Sequence, residues 1–499
     1  MTVKEAIEKL NEAEKALYAL GHAQSILNVD GETVAPKQSW KGRGKVMAYL
    51  GELQYRQLVN PEMEEVLRTI LENPGESDEI TVRRAEVLKE GYDDMHVLPM
   101  EEFVAWQELL NESSAVWHEA KVKSDYAMFA PVLEKLIAGR KRYAGLKNPD
   151  KPVYDVLLDV YEKGACMEAL DPFFRTIREE LSPLILAIAD QKQPTPELLK
   201  KTWPIAQQRE FSDQIMALEG LDPERCTLGE TEHPFTDSVN KWDVRITTHY
   251  HEEDALASLY SVIHEGGHAL YELGVRDDLQ YTCLSGGVSM GIHESQSRFY
   301  ENLIGRSRAF CAPLLKAMAA CFPEQMKGVT EEELYAAINR SQPSLIRTEA
   351  DELTYPLHVM IRYEIEKGIM AGELQVKDLP GAWNEQYRKY LGVEVPDDRR
   401  GVLQDSHWSF GGFGYFPSYA LGSAYGVQML RKMEKEIDVW GPVARGDLSP
   451  VTKWLGEKVH QYGTLKKPAE VLQIAMGGPL DATVYTGYLK KKFSELYKV

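Results

Sequence analysis

Apolar positions along this chain recur mostly at three-to-four spacing, which predicts helices. Thr2 and Glu5 stand at the capping-box interval, and Leu10, Ala13, Leu17 and Leu20 then line one stripe, so a helix begins at the start of the chain. Asn60 and Pro61 open another, with Met63, Val66, Leu67, Ile70 and Leu71 on one face and Asn-Pro-Gly at 73–75 ending it. Segments near 99–121, 129–146, 167–191 and 195–219 carry the same period and predict helices packed on helices. One run breaks the rule. Val244, Ile246, Thr248 and Tyr250 alternate with Arg245, Thr247 and His249, a period of two that predicts a strand, and HPFT at 233–236 is its expected partner across a turn. No Pro-, Ser- or Gly-rich linker and no internal repeat divides the chain. Residues 1–499 are therefore expected to form one continuous, mainly α body with a small β element, in two parts at about 1–220 and 221–499.

Composition narrows the class without naming a chemistry. Apolar residues make up 43% and charged residues 27% of 499, enough to bury a large core and incompatible with a disordered or collagen-like chain. The 77 acidic residues exceed the 57 basic ones, for a net charge of −20. That field repels nucleic acid and anionic membrane, so neither is expected as a partner. Five cysteines, odd in number, widely spaced and without a CxxC, fit a reducing cytoplasm. Neither a signal-peptide layout nor a run of about 18 apolar residues is present, so a soluble cytoplasmic protein is expected.

The strongest local signal is His264-Glu265-Gly266-Gly267-His268, an HExxH inside a segment whose Leu256, Leu259, Tyr260, Ile263, Leu270 and Leu273 keep helical spacing. Four residues turn a helix by about 400°, leaving both imidazoles one turn apart and able to bind one Zn²⁺. Glu265 then points to a neighbouring face, close enough to hold a water without binding the metal. A catalytic zinc site takes a third protein ligand and leaves a position to solvent. GIHESQSRFYENLIGRSRAF, at 291–310, reads as a further helix with Ile292, Phe299, Leu303 and Ile304 on its apolar side. Glu294 near its start is the expected third ligand, while its neighbour His293 should face elsewhere. His233 and His249, near the strands, are read as structural.

Six short patterns in order carry a resemblance: His233-Pro234-Phe235, DxRxT at 243–247, HExxH at 264–268, HESQ at 293–296, IRxxAD at 346–351 and GxxQDxHW at 401–408. On these motifs the chain resembles the carboxypeptidase Taq family of zinc metallopeptidases, cytoplasmic enzymes related in fold to neurolysin and angiotensin-converting enzyme. The resemblance implies a helical zincin-type body, a small sheet beside the HExxH helix, and a deep groove covered by the N-terminal helices. It implies release of single C-terminal amino acids from peptides, broad specificity, poor cleavage at Pro, zinc with cobalt able to substitute, and a homodimer. His264, His268 and Glu294 would hold the metal and Glu265 would act as general base. A cationic anchor is then needed for the substrate carboxylate, for which a guanidinium fork is suited; Arg347 is the first candidate and Arg245 the second. Asp351 is expected to orient a neighbour. Related peptidases stabilise the oxyanion with a tyrosine from a Gly/Tyr-rich stretch, which points to Tyr415, with Tyr419 in reserve and His407 as a second donor. The nearest rival is a zinc endopeptidase or dipeptidase of the same class; a silent peptide-binding scaffold is a more distant one.

Overall fold

In the computed structural model, which describes residues 1–191, 193 and 197–499, the capping box closes at Thr2 and the first helix runs Val3–Thr33. Asn60 caps Pro61–Glu72 by accepting from Met63 N, and Met63, Val66, Leu67 and Ile70 are buried. These early helices share a small core of their own, in which Leu10 and Ala13 meet Leu58, Val66 and Leu88. Helices Met100–Lys123, Tyr126–Lys147 and Met167–Ala189 follow the predicted segments. Residues 195 and 196 lie outside the described residues, and the next α-helix is Ile205–Glu219, beginning after Pro204, whose ring favours the first turn. Among the described residues a large apolar cluster runs from Ala120 to Tyr497.

The sheet has three strands, β1 (Cys226–Glu230), β2 (Thr236–Asn240) and β3 (Asp243–Thr248), in the order β1-β3-β2. β2 pairs antiparallel with β3, but of the expected partner segment 233–236 only Thr236 lies in the strand, which runs on through Asn240 to a tight turn at Lys241 and Trp242; β1 adds a parallel neighbour. Val244, Ile246 and Thr248 are buried, as expected of one face. Thr247, on the other face, is buried as well, its hydroxyl satisfied by the backbone N–H and C=O of Phe235.

Behind the sheet lies the HExxH helix, Ala255–Gly274, capped by Asp254, whose side chain accepts from Leu256 N and Ala257 N. The segment 291–310 forms two helices where the pattern predicts one. Met290–Arg298 is α-helical and continues as a π-helical stretch, Phe299–Ile304, where Gly305 N donates to Tyr300 O at 2.7 Å. A new helix, Arg308–Cys321, starts with Ser307 as cap, because Gly305 and a capping serine break the run. The helix Pro417–Glu436 then packs on Met290–Arg298. Among the described residues no helix is long and apolar enough to cross a membrane.

Two glycines let these three helices touch. A Cβ on Gly267 would sit 2.6 Å from Gln296 O, and one on Gly422 would sit 2.7 Å from Glu294 Cβ. Glycine costs about 1 kcal/mol in a helix interior relative to alanine. Here it allows backbone-to-backbone approach of the HExxH helix and of Pro417–Glu436 to the helix that carries Glu294.

Candidate metal centre

That close approach brings one donor atom each from His264, His268 and Glu294 within 4.8 Å of one another. Nε2 of His264 lies 3.8 Å and Nε2 of His268 lies 3.7 Å from Glu294 Oε2. Ligands 2.0–2.1 Å from a tetrahedral ion stand about 3.3 Å apart, so both histidine-to-carboxylate distances lie within about 0.5 Å of those around a bound ion. Two imidazoles and one carboxylate, each with its other polar atom tied outward, fit a divalent cation of the zinc type.

The outward ties went unread in the sequence. Nδ1 of His264 is 2.9 Å from Glu301 Oε2, and Glu301 is supplied by the π-helical stretch. Arg298 Nε donates to Glu294 Oε1 at 2.8 Å and its Nη1 to Glu301 at 3.1 Å. Although burial opposes ionisation of Glu301, Arg298, His264 and Arg306 outweigh it and hold this carboxyl well below the usual range. His293 meets Nδ1 of His268 at 2.6 Å and Glu272 at 2.8 Å. It is not one of the three converging donors, but it lies against His268 and lines the same cavity. The signal available was spacing: Glu301 follows Glu294 by seven residues and Glu272 follows His268 by four, both helical repeats.

Glu265 is 7% exposed. Burial raises its pKa, and Thr236 Oγ1 on β2 donates to its Oε2 at 2.6 Å. The small sheet thus orients the carboxyl. A cavity of about 370 Å³ carries His264, Glu265, His268, Glu294, Tyr415 and Tyr419 on its walls. A second, of about 640 Å³, shares His264, Glu265, Glu294 and Tyr419 and extends to Arg347 and Tyr355. A third, of about 880 Å³, continues past Arg347 to His407, Lys121 and Arg399. Sharing walls, the three make one groove with the HExxH helix at its floor.

Arg347 lines that groove but its fork is partly engaged. Nε and Nη2 donate to Asp405 at 3.0 and 2.8 Å, and Nη1 donates to Tyr355 at 3.0 Å, leaving two of five N–H donors. Arg362, fully buried, also pairs with Asp405, and Gln404 accepts from both Arg347 N and Arg362. Gln404 and Asp405 of the GxxQDxHW motif are therefore an arginine clamp. Arg245 on β3 is held by both oxygens of Asp243 at 2.8 Å and is absent from the walls of these three cavities. Asp351 accepts from Ser341, Gln342 N, Leu353 N and Thr354, pinning the turn that leads to Tyr355.

Tyr415, Tyr419 and His407 cluster. The tyrosine rings are 5.3 Å apart, His407 and Tyr415 rings 5.1 Å. His407 Nε2 lies 3.1 Å from Tyr419 Oη; it borders the groove's far part and meets the cavity of the three donors through Tyr415 and Tyr419. Burial depresses His407 to about 3 despite Asp405, so its ring is neutral. Burial raises both tyrosines, which keep their protons. His249 bonds Thr231 O at 2.8 Å, as a structural histidine does.

A family model described as carboxypeptidase Taq (M32) metallopeptidase matches residues 9–493. This chain belongs to that family. Carboxypeptidase 1 of Bacillus subtilis is 39% identical over 485 residues, 97% of each chain. Thermostable carboxypeptidase 1 of Thermus thermophilus is 34% identical over 510 residues, all of both. The M32 carboxypeptidase from Deinococcus radiodurans R1 superposes with a TM-score of 0.95 at 34% identity, over 99% of this chain and all of that one. The structure of Pyrococcus furiosus carboxypeptidase gives 0.94 at 33%, over 98% and 99%. The chain is thus a metallocarboxypeptidase, a hydrolase of peptides that uses a divalent metal, and its helical body with a small sheet is the fold of these relatives.

Proposed function

We propose that this metallocarboxypeptidase is zinc-dependent, cobalt being able to substitute, and removes single amino acids from the free C-terminus of peptides. The observation that carries the reading is the convergence of His264 Nε2, His268 Nε2 and Glu294 Oε2, with Glu265 on the same cavity wall. A cation held by these three atoms supplies Lewis acidity to the scissile carbonyl and to the attacking water. Glu265 takes one proton from that water as its oxygen attacks the carbonyl carbon. When the C–N bond breaks, Glu265 delivers the proton to the leaving nitrogen, so one water is consumed and an acid and an amine leave. Tyr415 donates to the oxyanion, with Tyr419 as the reserve and His407, 3.1 Å from Tyr419 Oη, as a second donor. The two free donors of Arg347 hold the terminal carboxylate, with Arg245, already paired, as second candidate.

On the same reading the enzyme has broad specificity and cleaves poorly at Pro. It acts as a homodimer in a reducing cytoplasm. The chain is one catalytic body, residues to about 220 covering the groove and 221–499 carrying the chemistry. Mass spectrometry of a free-acid peptide, its C-terminal amide and a Pro-terminated analogue, each with and without chelator, tests this. The expected result is a ladder of single-residue losses from the free acid alone, abolished by chelation. Equal internal cutting of the amide favours an endopeptidase instead.

A further inference from the structure

Behind His268 stands a second imidazole that the hydrolytic scheme does not use. His293 Nδ1 is 2.6 Å from His268 Nδ1, and His293 Nε2 is 2.8 Å from Glu272 Oε1. Glu272 Oε1 also accepts from Gly287 N at 3.1 Å, and Tyr271 Oη accepts from Val288 N at 3.2 Å. The loop after the HExxH helix is thereby fastened to that helix one turn beyond His268, with the His293 ring between them. Gly287 packs closely on one side of the ring: a Cβ there would lie 2.5 Å from His293 Cδ2 and 2.9 Å from Tyr271 Cε1.

We propose that His293 and Glu272 are a positioning pair that fixes the tautomer and orientation of His268 for metal binding. This inference rests on His268 being a ligand. Two independent constraints give the same proton arrangement. A ligand Nε2 needs its lone pair free, so His268 carries its proton on Nδ1 and donates it to His293 Nδ1. Facing a carboxylate oxygen, His293 Nε2 carries a proton and donates it, which leaves Nδ1 with the lone pair that accepts from His268. In the reverse arrangement a proton would occupy His268 Nε2 and two lone pairs would oppose each other at Glu272. The two ligand histidines are therefore backed differently, His264 directly by the Glu301 carboxylate and His268 by an imidazole that in turn meets the Glu272 carboxylate. Removing such an outer partner lowers metal affinity about 10–100-fold.

The test is zinc affinity of the full-length protein, by competition with a chromophoric chelator, beside the unfolding midpoint of the metal-free protein. His293→Ala is expected to weaken zinc about 10–100-fold with little change in the metal-free midpoint. His293→Asn, whose Oδ1 accepts near the place of Nδ1, should recover most of the affinity. Glu272→Gln keeps the volume and should weaken zinc less than His293→Ala. His264→Ala is the control and should abolish tight binding. Unchanged affinity in His293→Ala overturns the inference. So does equal impairment of the Ala and Asn variants together with a matching fall in the metal-free midpoint, the mark of packing alone. A wild-type protein that takes up no zinc, or a His264→Ala variant that keeps it, overturns the metal reading and this inference with it.

Discussion

Replacing Gly267 by alanine tests whether helix contact sets the metal geometry. The new Cβ would stand 2.6 Å from Gln296 O and 2.7 Å from Ser297 Cα, both backbone atoms of the helix that carries Glu294. Ordinary carbon–oxygen contact begins at about 3.4 Å, so the two helices must part by about 0.8 Å at this point. Metal–ligand distances tolerate about 0.2 Å. His268 is the next residue along the chain, and Glu294 lies two before Gln296, so nearly the whole displacement falls between ligands. Overpacking alone costs about 1–3 kcal/mol, and a misplacement near 1 Å at a reacting centre costs about 100-fold in rate. Gly267→Ala is therefore expected to lose at least about 100-fold in kcat/KM and to bind zinc markedly more weakly, read by chelator competition and initial rates. Gly487→Ala is the control: it lies in the helix Ala482–Tyr497 with nothing within 4 Å of the added carbon, and should stabilise by up to about 1 kcal/mol. A Gly267→Ala protein with wild-type zinc affinity and turnover would refute the reasoning.

Glu265→Gln removes the base without removing a donor, so metal content by elemental analysis should stay near one per chain while turnover falls to background; loss of the metal would contradict the assignment. Arg347→Ala should collapse the preference for free-acid over amidated peptides, by about 10–150-fold in the ratio of kcat/KM for one charge-assisted contact of about 1.5–3 kcal/mol; an unchanged ratio moves the anchor to Arg245. Glu162, which accepts from Gly291 N at the start of the Glu294 helix, is raised by burial to about 7. Its folded pKa exceeds the unfolded one, so stability is present below about pH 4.5 and is lost as pH rises toward 7, by about 3 kcal/mol at most. Unfolding midpoints of Glu162→Gln against wild type should coincide near pH 4 and favour the variant at pH 8; parallel curves would rule this out.

Helix positions and the motif were legible because each rests on local pattern: the Thr2 capping box, the Asn60 cap and the HExxH stripe all depend on residues within a turn or two. β1 was not, since CTLGE has no alternation strong enough to announce a strand that exists by pairing with β3. The π-helical stretch at Phe299–Ile304 was equally silent, and with it the place of Glu301 behind His264. The pairing of Arg347 with Asp405 was equally unreadable, because Asp405 is 58 residues away in sequence and only the fold brings them together. Gly266 and Gly267 read as the variable positions of a motif. In three dimensions Gly267 is where two helices touch, and Gly266 makes room for the Glu219 carboxyl, 2.3 Å from where a Cβ would be.

Diffraction from crystals grown with zinc, recorded on both sides of the zinc absorption edge, bears most directly on the claim that three side chains hold one cation. The account predicts a single anomalous peak in the groove, about 2.0–2.1 Å from His264 Nε2, His268 Nε2 and Glu294 Oε2. A peak elsewhere, or a Glu294 carboxylate turned away from an ion bound only by the histidines, would contradict it.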